Sequence, residues 1–282
     1  ADPPKIAGVY PPPAELKGSA RLSDSLVPGL EVGGIVVEGG RQTGASSIPI
    51  GTRVAALVSN GAFAQEVIVP SCTVLETERI PGLRDAPFAT LASIPETYTT
   101  AWQVLQAHSR PHLLGRRPGE PLRVLIHAAA SGVGLAVAHL LQAARTLPDS
   151  GPIDIHGTVG SEEKASVLRD EAGFDLVAVR TDATPWHRQL RPSKEAPRYD
   201  LIVDPVGASY YADNLSALAP GGVLHLLAFL GGHRTADPVS LASFVNRGIT
   251  VTGSTLRSKP PAFKGSLLQD FASFATTTSM FT

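Results

Sequence analysis

The chain has 282 residues, of which 43% are hydrophobic and 17% are charged, and its formal net charge is −1. This composition excludes a disordered chain, because it supplies enough apolar residues for a sizeable core. The balanced charge argues against a nucleic-acid-binding protein and against a membrane-surface protein, because both classes carry a basic patch. No apolar run has the length of a membrane-spanning helix. Cys72 is the single cysteine, which excludes an internal disulfide and favours a reducing, cytoplasmic location.

Residues 1–98 predict a β-rich unit. Short runs rich in Val and Ile, bordered by Gly or Pro, predict strands at 33–39, 52–58 and 62–70. Residues 39–51 are a loop by composition. Long helical periodicity is absent from this part of the chain.

After Pro95 the pattern changes to alternating helices and strands. The first helix is predicted at 97–109, and Ser161 is expected to cap one of the later helices. The predicted succession is strand 122–129, helix 133–145, strand 153–160, helix 161–173, strand 199–207, helix 209–222, strand 223–232, a short helix at 240–248 and strand 249–257. Such alternation builds an open parallel sheet with helices on both faces, so the predicted fold class is α/β with a Rossmann-type doubly wound sheet.

The segment VLIHAAASGVG, residues 124–134, is a buried strand that runs into a series of small residues and then a helix. It matches a dinucleotide-binding G-x-G-x-x-G turn in which Ala129 replaces the first Gly, Ser131 replaces the second and Gly134 is the third. Small residues let the backbone approach a pyrophosphate, and the helix N-terminus supplies free N–H groups. The alternative is an ordinary tight strand-to-helix turn, but the surrounding strand–helix alternation favours a cofactor site.

The end of the second strand of this unit indicates which dinucleotide binds. An NAD site has an acidic residue there for the ribose hydroxyls. Here Gly160 and Ser161 occupy that place, Lys164 follows one turn later, and Asp154 lies at the start of the strand. A hydroxyl and a lysine suit the 2′-phosphate of NADP(H). Arg180 is a second candidate for binding this phosphate. The alternatives are that Lys164 is only a solvated helix residue and that Arg180 is only a surface residue.

Eight segments in order resemble the quinone oxidoreductase (zeta-crystallin-like) branch of the medium-chain dehydrogenase/reductase superfamily, most of all its p53-inducible members. They are GVYPPPA, PGLEVGGIV, GTRVAAL, SIPETYTTAWQVL, VLIHAAASGVG, TVGSEEK, YDLIVDPVG and TGSTLRS. The resemblance implies a partial GroES-like catalytic domain at 1–98, an NADP(H)-binding Rossmann domain at 99–257 and a tail at 258–282 that leads back to the catalytic domain. The first strands of the family, and its last strand and helix, are absent from the chain, so we expect it to be incomplete at both ends.

The resemblance also implies roles for individual residues. Tyr10 would lie at the entrance of the substrate site, and Thr100 would contact the carboxamide of the nicotinamide. The alternative for Tyr10 is that it packs against the prolines that follow it. The alternative for Thr100 is that its hydroxyl bonds only to the preceding turn of its own helix. Where this chain has Arg180, the family often has Tyr. The residues implied to bind NADPH are Ala130, Ser131, Gly132, Val133, Gly134, Ser161, Lys164, Arg180, Phe229, Leu230, Gly231, Ser254, Leu256 and Arg257. The alternative for Phe229 and Leu230 is that they are core residues. The alternative for Arg257 is that it only ends a strand.

The implied activity is the zinc-independent transfer of reducing equivalents from NADPH to a quinone. Zinc-dependent relatives have a Gly-His-Glu motif where this chain has Gly29-Leu30-Glu31, so we predict no metal ligands. The alternatives are an NADPH-dependent enone or enoyl reductase and a non-catalytic NADPH-binding protein. The expected partners are a small electron-poor acceptor and a second copy of the chain, paired through the edge strand at 248–255.

Overall fold

A computed structural model of the protein describes residues 27–39, 48–109, 119–181, 183–193, 195–236 and 238–282. These residues form two compact units, one within residues 1–100 together with 255–282 and one of residues 101–254. The strands are β1 Glu31–Ile35, β2 Arg53–Leu57, β3 Val74–Glu76, β4 Leu122–Ile126, β5 Ile153–Val159, β6 Leu176–Val179, β7 Tyr199–Asp204, β8 Leu218–Leu226 and β9 Thr250–Gly253. The α-helices are α1 Phe88–Ala92, α2 Pro95–Ser109, α3 Gly132–Arg145, α4 Glu162–Asp170, α5 Trp186–Leu190, α6 Tyr211–Ala217, α7 Ala242–Arg247 and α8 Pro261–Thr278.

The first unit contains an antiparallel sheet in the order β1-β2-β3. Its register pairs Gly33 with Ala55, and Ala55 in turn with Leu75. Val54, Ala56 and Val74 form a small buried cluster on this sheet. The sheet is the β-rich part of the fold expected from the N-terminal sequence.

The prediction of a strand at 62–70 is wrong, because no strand forms there. The side chains of Phe63 and Ile68 are 61% and 102% exposed. Strand propensity reflects packing on a half-buried surface, and without such a surface Val and Ile do not make a strand. The third strand forms instead at Val74–Glu76, where Val74 and Leu75 are buried.

The C-terminal helix α8 packs on the segment that leads into β3. A Cβ on Gly265 would lie 2.4 Å from the carbonyl oxygen of Cys72, so only glycine allows the two backbones to come this close. Gln269 donates from Nε2 to the carbonyl of Val74 at 3.2 Å. The ring centroids of Tyr98 and Phe271 are 5.3 Å apart. This helix therefore completes the first unit.

The second unit is a parallel sheet in the order β6-β5-β4-β7-β8-β9, which is the doubly wound Rossmann order. Val124 on β4 pairs with Ile155 on β5 and with Leu201 on β7. The predicted α/β fold class is thus confirmed. The strand order reverses between β4 and β7, and ligands bind such sheets outside the carboxyl ends of the strands at this point.

Several predicted boundaries shift. The helix predicted at 209–222 ends at Ala217, because Pro220 lacks the N–H that a helix requires and β8 already begins at Leu218. The strands predicted to reach 232 and 257 end at Leu226 and Gly253. Residues 228–232 therefore form a loop beyond the sheet.

Among the described residues, none of the helices combines the length and the apolar character that crossing a bilayer requires.

Candidate functional site

The turn between β4 and α3 has the form expected of a phosphate-binding turn. Ala128 adopts a left-handed conformation with φ of 48°, and Ser131 caps α3 by accepting a hydrogen bond from the Gly134 N–H at 3.2 Å. A Cβ on Gly134 would lie 2.5 Å from the carbonyl oxygen of Ala129. Ser131 and Gly132 are exposed, so the first turn of α3 presents its amides to solvent. The small residues thus serve both close packing and access to the backbone.

The turn between β5 and α4 carries the predicted phosphate ligands. The Ser161 side chain accepts a hydrogen bond from the Lys164 N–H at 3.4 Å, which confirms the predicted cap. Gly160 and Lys164 are exposed. The first turn of α4 also contains Glu162 and Glu163, which suit a helix N-terminus.

A cavity of about 260 Å³ lies between these two turns and the residues that follow β6 and β7. Four of the predicted cofactor-binding residues line it together: Ala130, Ser131, Lys164 and Arg180. Its full lining is Ala128, Ala130, Ser131, Thr158, Val159, Gly160, Lys164, Arg180, Val206 and Tyr210. The described lining thus contains two cations and no carboxylate. None of the ion pairs found in the described part of the chain includes Lys164 or Arg180.

Tyr210, a residue that the sequence analysis missed, lines the same cavity as Arg180. Burial raises the pKa of the Tyr210 hydroxyl, and the positive charge of Arg180 opposes this shift. A Cβ on Gly160 would lie 3.7 Å from Nη2 of Arg180, so the guanidinium reaches the end of β5. Arg180 is exposed, and it lines the same cavity as Lys164.

A buried polar network lies directly beneath the phosphate turn, and it too was missed from the sequence. His127 is 1% exposed; its Nδ1 is 3.0 Å from Thr158 Oγ1 and its Nε2 is 2.7 Å from Asn214 Oδ1. Asn214 donates from Nδ2 to Asp204 Oδ2 at 2.9 Å. Asp204 also accepts from the Val206 N–H at 2.6 Å. The sequence signal was the segment YDLIVDPVG, in which a strongly apolar strand ends in an aspartate.

The loop after β8 carries three further predicted residues. Phe229 and Leu230 are 62% and 75% exposed, so the alternative that they belong to the core is wrong. A Cβ on Gly231 would lie 2.2 Å from Ser209 Oγ, which explains the need for glycine. At the end of β9, Ser254 Oγ lies 2.8 Å from His225 Nε2. These residues share the carboxyl edge of the sheet with the cavity.

The remaining predicted residues do not line this cavity in the described structure. Val133 follows Gly132 in the first turn of α3. Thr100, Leu256 and Arg257 belong to the first unit. Thr100 is half-buried on α2, and Leu256 is 4% exposed. The carbonyl of Arg257 accepts a hydrogen bond from Lys264 Nζ at 3.3 Å. Tyr10 lies outside the described residues.

The Gly29-Leu30-Glu31 segment leads into β1, which begins at Glu31. Leu30 is 5% exposed, and Glu31 Oε2 accepts a hydrogen bond from the Glu96 N–H at 2.8 Å. Within the described ranges, no three His, Cys, Asp or Glu side chains are grouped in a way that would hold a metal ion. The carboxylate at Glu31 thus caps the start of α2.

Comparison with protein families identifies this arrangement. The family model described as zinc-binding dehydrogenase matches residues 132–273, which is half of the chain. The chain belongs to this family. Among curated proteins, the synaptic vesicle membrane protein VAT-1 homolog of Rattus norvegicus is 32% identical over 216 residues. That match covers 74% of the chain and 47% of the relative, so the chain spans about half the length of this curated relative.

Two solved structures share the fold of the chain. Quinone oxidoreductase of Escherichia coli, solved in complex with NADPH, is 22% identical with a TM-score of 0.70, over 98% of the chain and 76% of that protein. CurK enoyl reductase is also 22% identical, with a TM-score of 0.67 over 88% of the chain and 67% of that protein. The membership of a dehydrogenase family, first drawn from sequence segments, is confirmed by the family match, and the quinone oxidoreductase of Escherichia coli shares the fold.

Proposed function

We propose that the chain binds NADPH in the cavity at the carboxyl end of the parallel sheet and that the protein is an NADPH-dependent oxidoreductase. One observation carries this proposal: Lys164 and Arg180 line the same cavity as the small-residue turn at Ala130 and Ser131. A turn alone would suit any anion. Two cations beside it suit a dinucleotide with a further phosphate.

The residues present fit this cofactor. The exposed first turn of α3 offers amide N–H groups for a pyrophosphate, and a side chain at Gly134 would meet the Ala129 carbonyl. At the end of β5, where NAD sites have a carboxylate, this chain has Gly160 and Ser161, and the described lining of the cavity contains no carboxylate. The NADPH complex of the Escherichia coli neighbour supports the same cofactor.

NADPH supplies a hydride when it is bound, and the residues of the chain would bind and orient it. Lys164, Arg180 and Ser161 hold the 2′-phosphate in this proposal, and the turn at Ser131 holds the pyrophosphate. Phe229, Leu230 and Gly231 stand at the same sheet edge and would border the nicotinamide, with Ser254, Leu256 and Arg257 near its far side. Thr100 and Tyr10 are proposed to contact the nicotinamide and the acceptor, respectively.

The proposed acceptor is a quinone, and the second candidate is an enone or enoyl thioester. Both accept a hydride at an electron-poor carbon and develop negative charge on an oxygen, which a hydroxyl such as that of Tyr10 would stabilise. The quinone is favoured by the quinone oxidoreductase neighbour, and the enoyl substrate by the CurK enoyl reductase neighbour. The third candidate is a protein that binds NADPH without turnover.

We also propose that catalysis needs no zinc, because Leu30 and the helix-capping Glu31 leave no ligand pair in that segment. The domains at 1–98 and 99–257, the homodimer and the cytoplasmic location stay predictions.

Equilibrium binding and turnover together test the proposal. Fluorescence titration should give an NADPH affinity at least tenfold above that for NADH, because only NADPH carries the extra phosphate. NADPH consumption is then followed with a 1,4-quinone, a 1,2-quinone, an enone and an enoyl thioester. Turnover with the quinones supports the first candidate, and turnover with only the enone or the thioester supports the second. Tight NADPH binding without any turnover leaves the non-catalytic candidate, and equal affinity for NADH and NADPH contradicts the cofactor assignment.

A further inference from the structure

A second and larger cavity, of about 630 Å³, lies in the same unit. Its lining begins with the residue before β7 and ends with the last residue of α7: Arg198, Ala208, Ser209, Tyr211, Ala212, Leu215, Ser216, Gly231, Arg234, Thr235, Ala236, Pro238, Val239, Ser240, Ser243 and Arg247. No lining residue is shared with the cavity of Lys164 and Arg180, and Gly231, which we proposed to border the nicotinamide, lines the larger cavity. The turn Ala208–Tyr210 separates the two, since Ala208 and Ser209 face the larger cavity and Tyr210 faces the smaller one. Its volume is in the range of small-molecule sites, roughly 300–1,000 Å³.

Among the described residues, the charged side chains that line this larger cavity are all cations. Arg198, Arg234 and Arg247 line it, and its described lining contains no carboxylate. None of the ion pairs found among the described residues includes these three arginines. Asp213, an acidic residue on α6, instead lies 3.1 Å from His187 Nδ1. Three like charges gathered in one cavity repel one another, and a bound anion would remove that repulsion.

Two of the guanidinium groups are held in place by backbone carbonyls. Arg247 donates to Leu218 O at 3.0 Å and to Leu215 O at 2.6 Å. Arg198 donates from Nη1 to the carbonyl of Ser216. These bonds lie at the C-terminal end of α6, where cations are favourable. Each guanidinium has five N–H donors, so donors remain for a ligand after these bonds are made.

Arg234 has a different position from the other two. It is exposed on the loop after β8, and its side chain lines the cavity without capping α6. Helix capping therefore accounts for Arg198 and Arg247 but not for Arg234. The hydroxyl groups of Ser209, Ser216, Ser240 and Ser243 add further donors, while Leu215 and Val239 supply an apolar wall.

We propose that this cavity, defined by Arg198, Arg234 and Arg247, binds a small organic molecule that carries a phosphate group. Guanidinium forks match the oxygens of a phosphate, and a dianion balances this charge better than a carboxylate does. The cavity is far larger than a phosphate ion, so the remaining volume and the apolar wall suit an organic group attached to the phosphate. The proposal does not depend on the reaction at the other cavity.

Phenyl phosphate is the probe, and its binding to the full chain is measured by isothermal titration calorimetry at neutral pH. We expect saturable binding to the wild-type chain and at least fivefold weaker binding to Arg234→Gln. The control is Arg188→Gln, an exposed arginine outside both cavities, which should bind within twofold of wild type. Because Arg234 does not cap α6, its replacement should leave the chain folded, as circular dichroism would verify.

Two further measurements distinguish binding at this cavity from binding at the cofactor cavity and from attraction of any anion. Lys164→Gln/Arg180→Gln, which removes the cations of the cofactor cavity, should keep phenyl phosphate binding within twofold. Benzoate, which carries one negative charge, should bind at least fivefold more weakly than phenyl phosphate. The proposal is overturned if wild type shows no saturation, if Arg234→Gln binds as well as wild type, if the double variant loses binding, or if benzoate binds equally well.

Discussion

The Nε2 atom of His127 lies 2.7 Å from the Oδ1 atom of Asn214, and this pair fixes the tautomer of the buried imidazole. The amide nitrogen of Asn214 donates to Asp204, so Oδ1 is the acceptor and His127 Nε2 carries the proton. Nδ1 is then an acceptor for the hydroxyl of Thr158, which lines the cofactor cavity. The network thus connects the ends of three neighbouring strands, β4, β5 and β7, beneath the phosphate turn.

The first prediction concerns pH. Burial lowers the pKa of His127 to about 4, although the bond to Asn214 opposes the shift. An unfolded histidine has a pKa near 6.5, so between these values the unfolded chain binds a proton that the folded chain does not. The free energy of unfolding should therefore fall as pH falls from 6.5 to 4, by up to about 3 kcal/mol from this group.

Urea unfolding of wild type and His127→Gln at pH 7 and pH 4 measures this contribution. Glutamine can donate to Asn214 and accept from Thr158, so the variant retains the network without the titrating ring. Wild type should lose about 3 kcal/mol more than the variant between the two pH values. An equal loss in both proteins would mean that His127 titrates normally in the folded state.

The second prediction concerns the glycine of the phosphate turn. Gly134→Ala places a Cβ 2.5 Å from the Ala129 carbonyl oxygen, so the turn must shift. We expect the free energy of unfolding to fall by about 1–3 kcal/mol and NADPH affinity to fall with it. Gly34→Ala is the matched control, because nothing lies within 4 Å of the added Cβ. Wild-type stability and affinity in Gly134→Ala would show that the turn has more room than the structure gives it.

The third prediction concerns metal removal. Leu30 has no atom that can ligate zinc where zinc-dependent relatives have a histidine, and Glu31 accepts a hydrogen bond from the Glu96 N–H at the start of α2. Dialysis against a chelator should leave the melting temperature and quinone turnover unchanged, and elemental analysis of the purified protein should find less than about one zinc per ten chains. A chelator-dependent loss of turnover that added zinc restores would contradict the proposed zinc independence.

The fourth prediction concerns self-association through β9, which is at the edge of the sheet. The Ser254 N–H donates to Leu226 on β8, so by strand alternation the N–H groups of Val251 and Gly253 face the open edge. If two copies pair there, sedimentation equilibrium should give twice the chain mass of 29.4 kDa. Val251→Pro removes one outward N–H and should shift the protein to monomer. A monomeric wild type, or a Val251→Pro dimer as tight as wild type, would rule out this interface.

Local chemistry explains why part of the site is predictable from the sequence. Ser131 and Ser161 cap the helices that follow them, and the small residues between β4 and α3 are recognisable within a few positions of the sequence. Arg180 is recognisable from its place after β6. Its contact with Tyr210 is not predictable, because it depends on how the third crossover returns to the sheet.

Tertiary packing explains the errors. Residues 62–70 have strand-forming side chains but no surface to pack on, as the exposure of Ile68 shows. The sequence predicts only a tail where helix α8 forms, and this helix depends on contacts of Gly265 and Gln269 with residues almost 200 positions earlier in the chain. Neither outcome is encoded within a short window of sequence.

The central claim is that Lys164 and Arg180 together recognise the 2′-phosphate of NADPH. The most direct test is the ratio of NADPH to NADH affinity in Lys164→Gln/Arg180→Gln, measured by fluorescence titration. The control is Arg84→Gln/Arg188→Gln, which removes the same charge from two exposed arginines outside the cavity. We expect the first variant to lose roughly 30-fold in NADPH affinity while NADH affinity changes less than twofold, and the control to match wild type. An unchanged NADPH affinity, or an equal loss for both dinucleotides, would contradict the account.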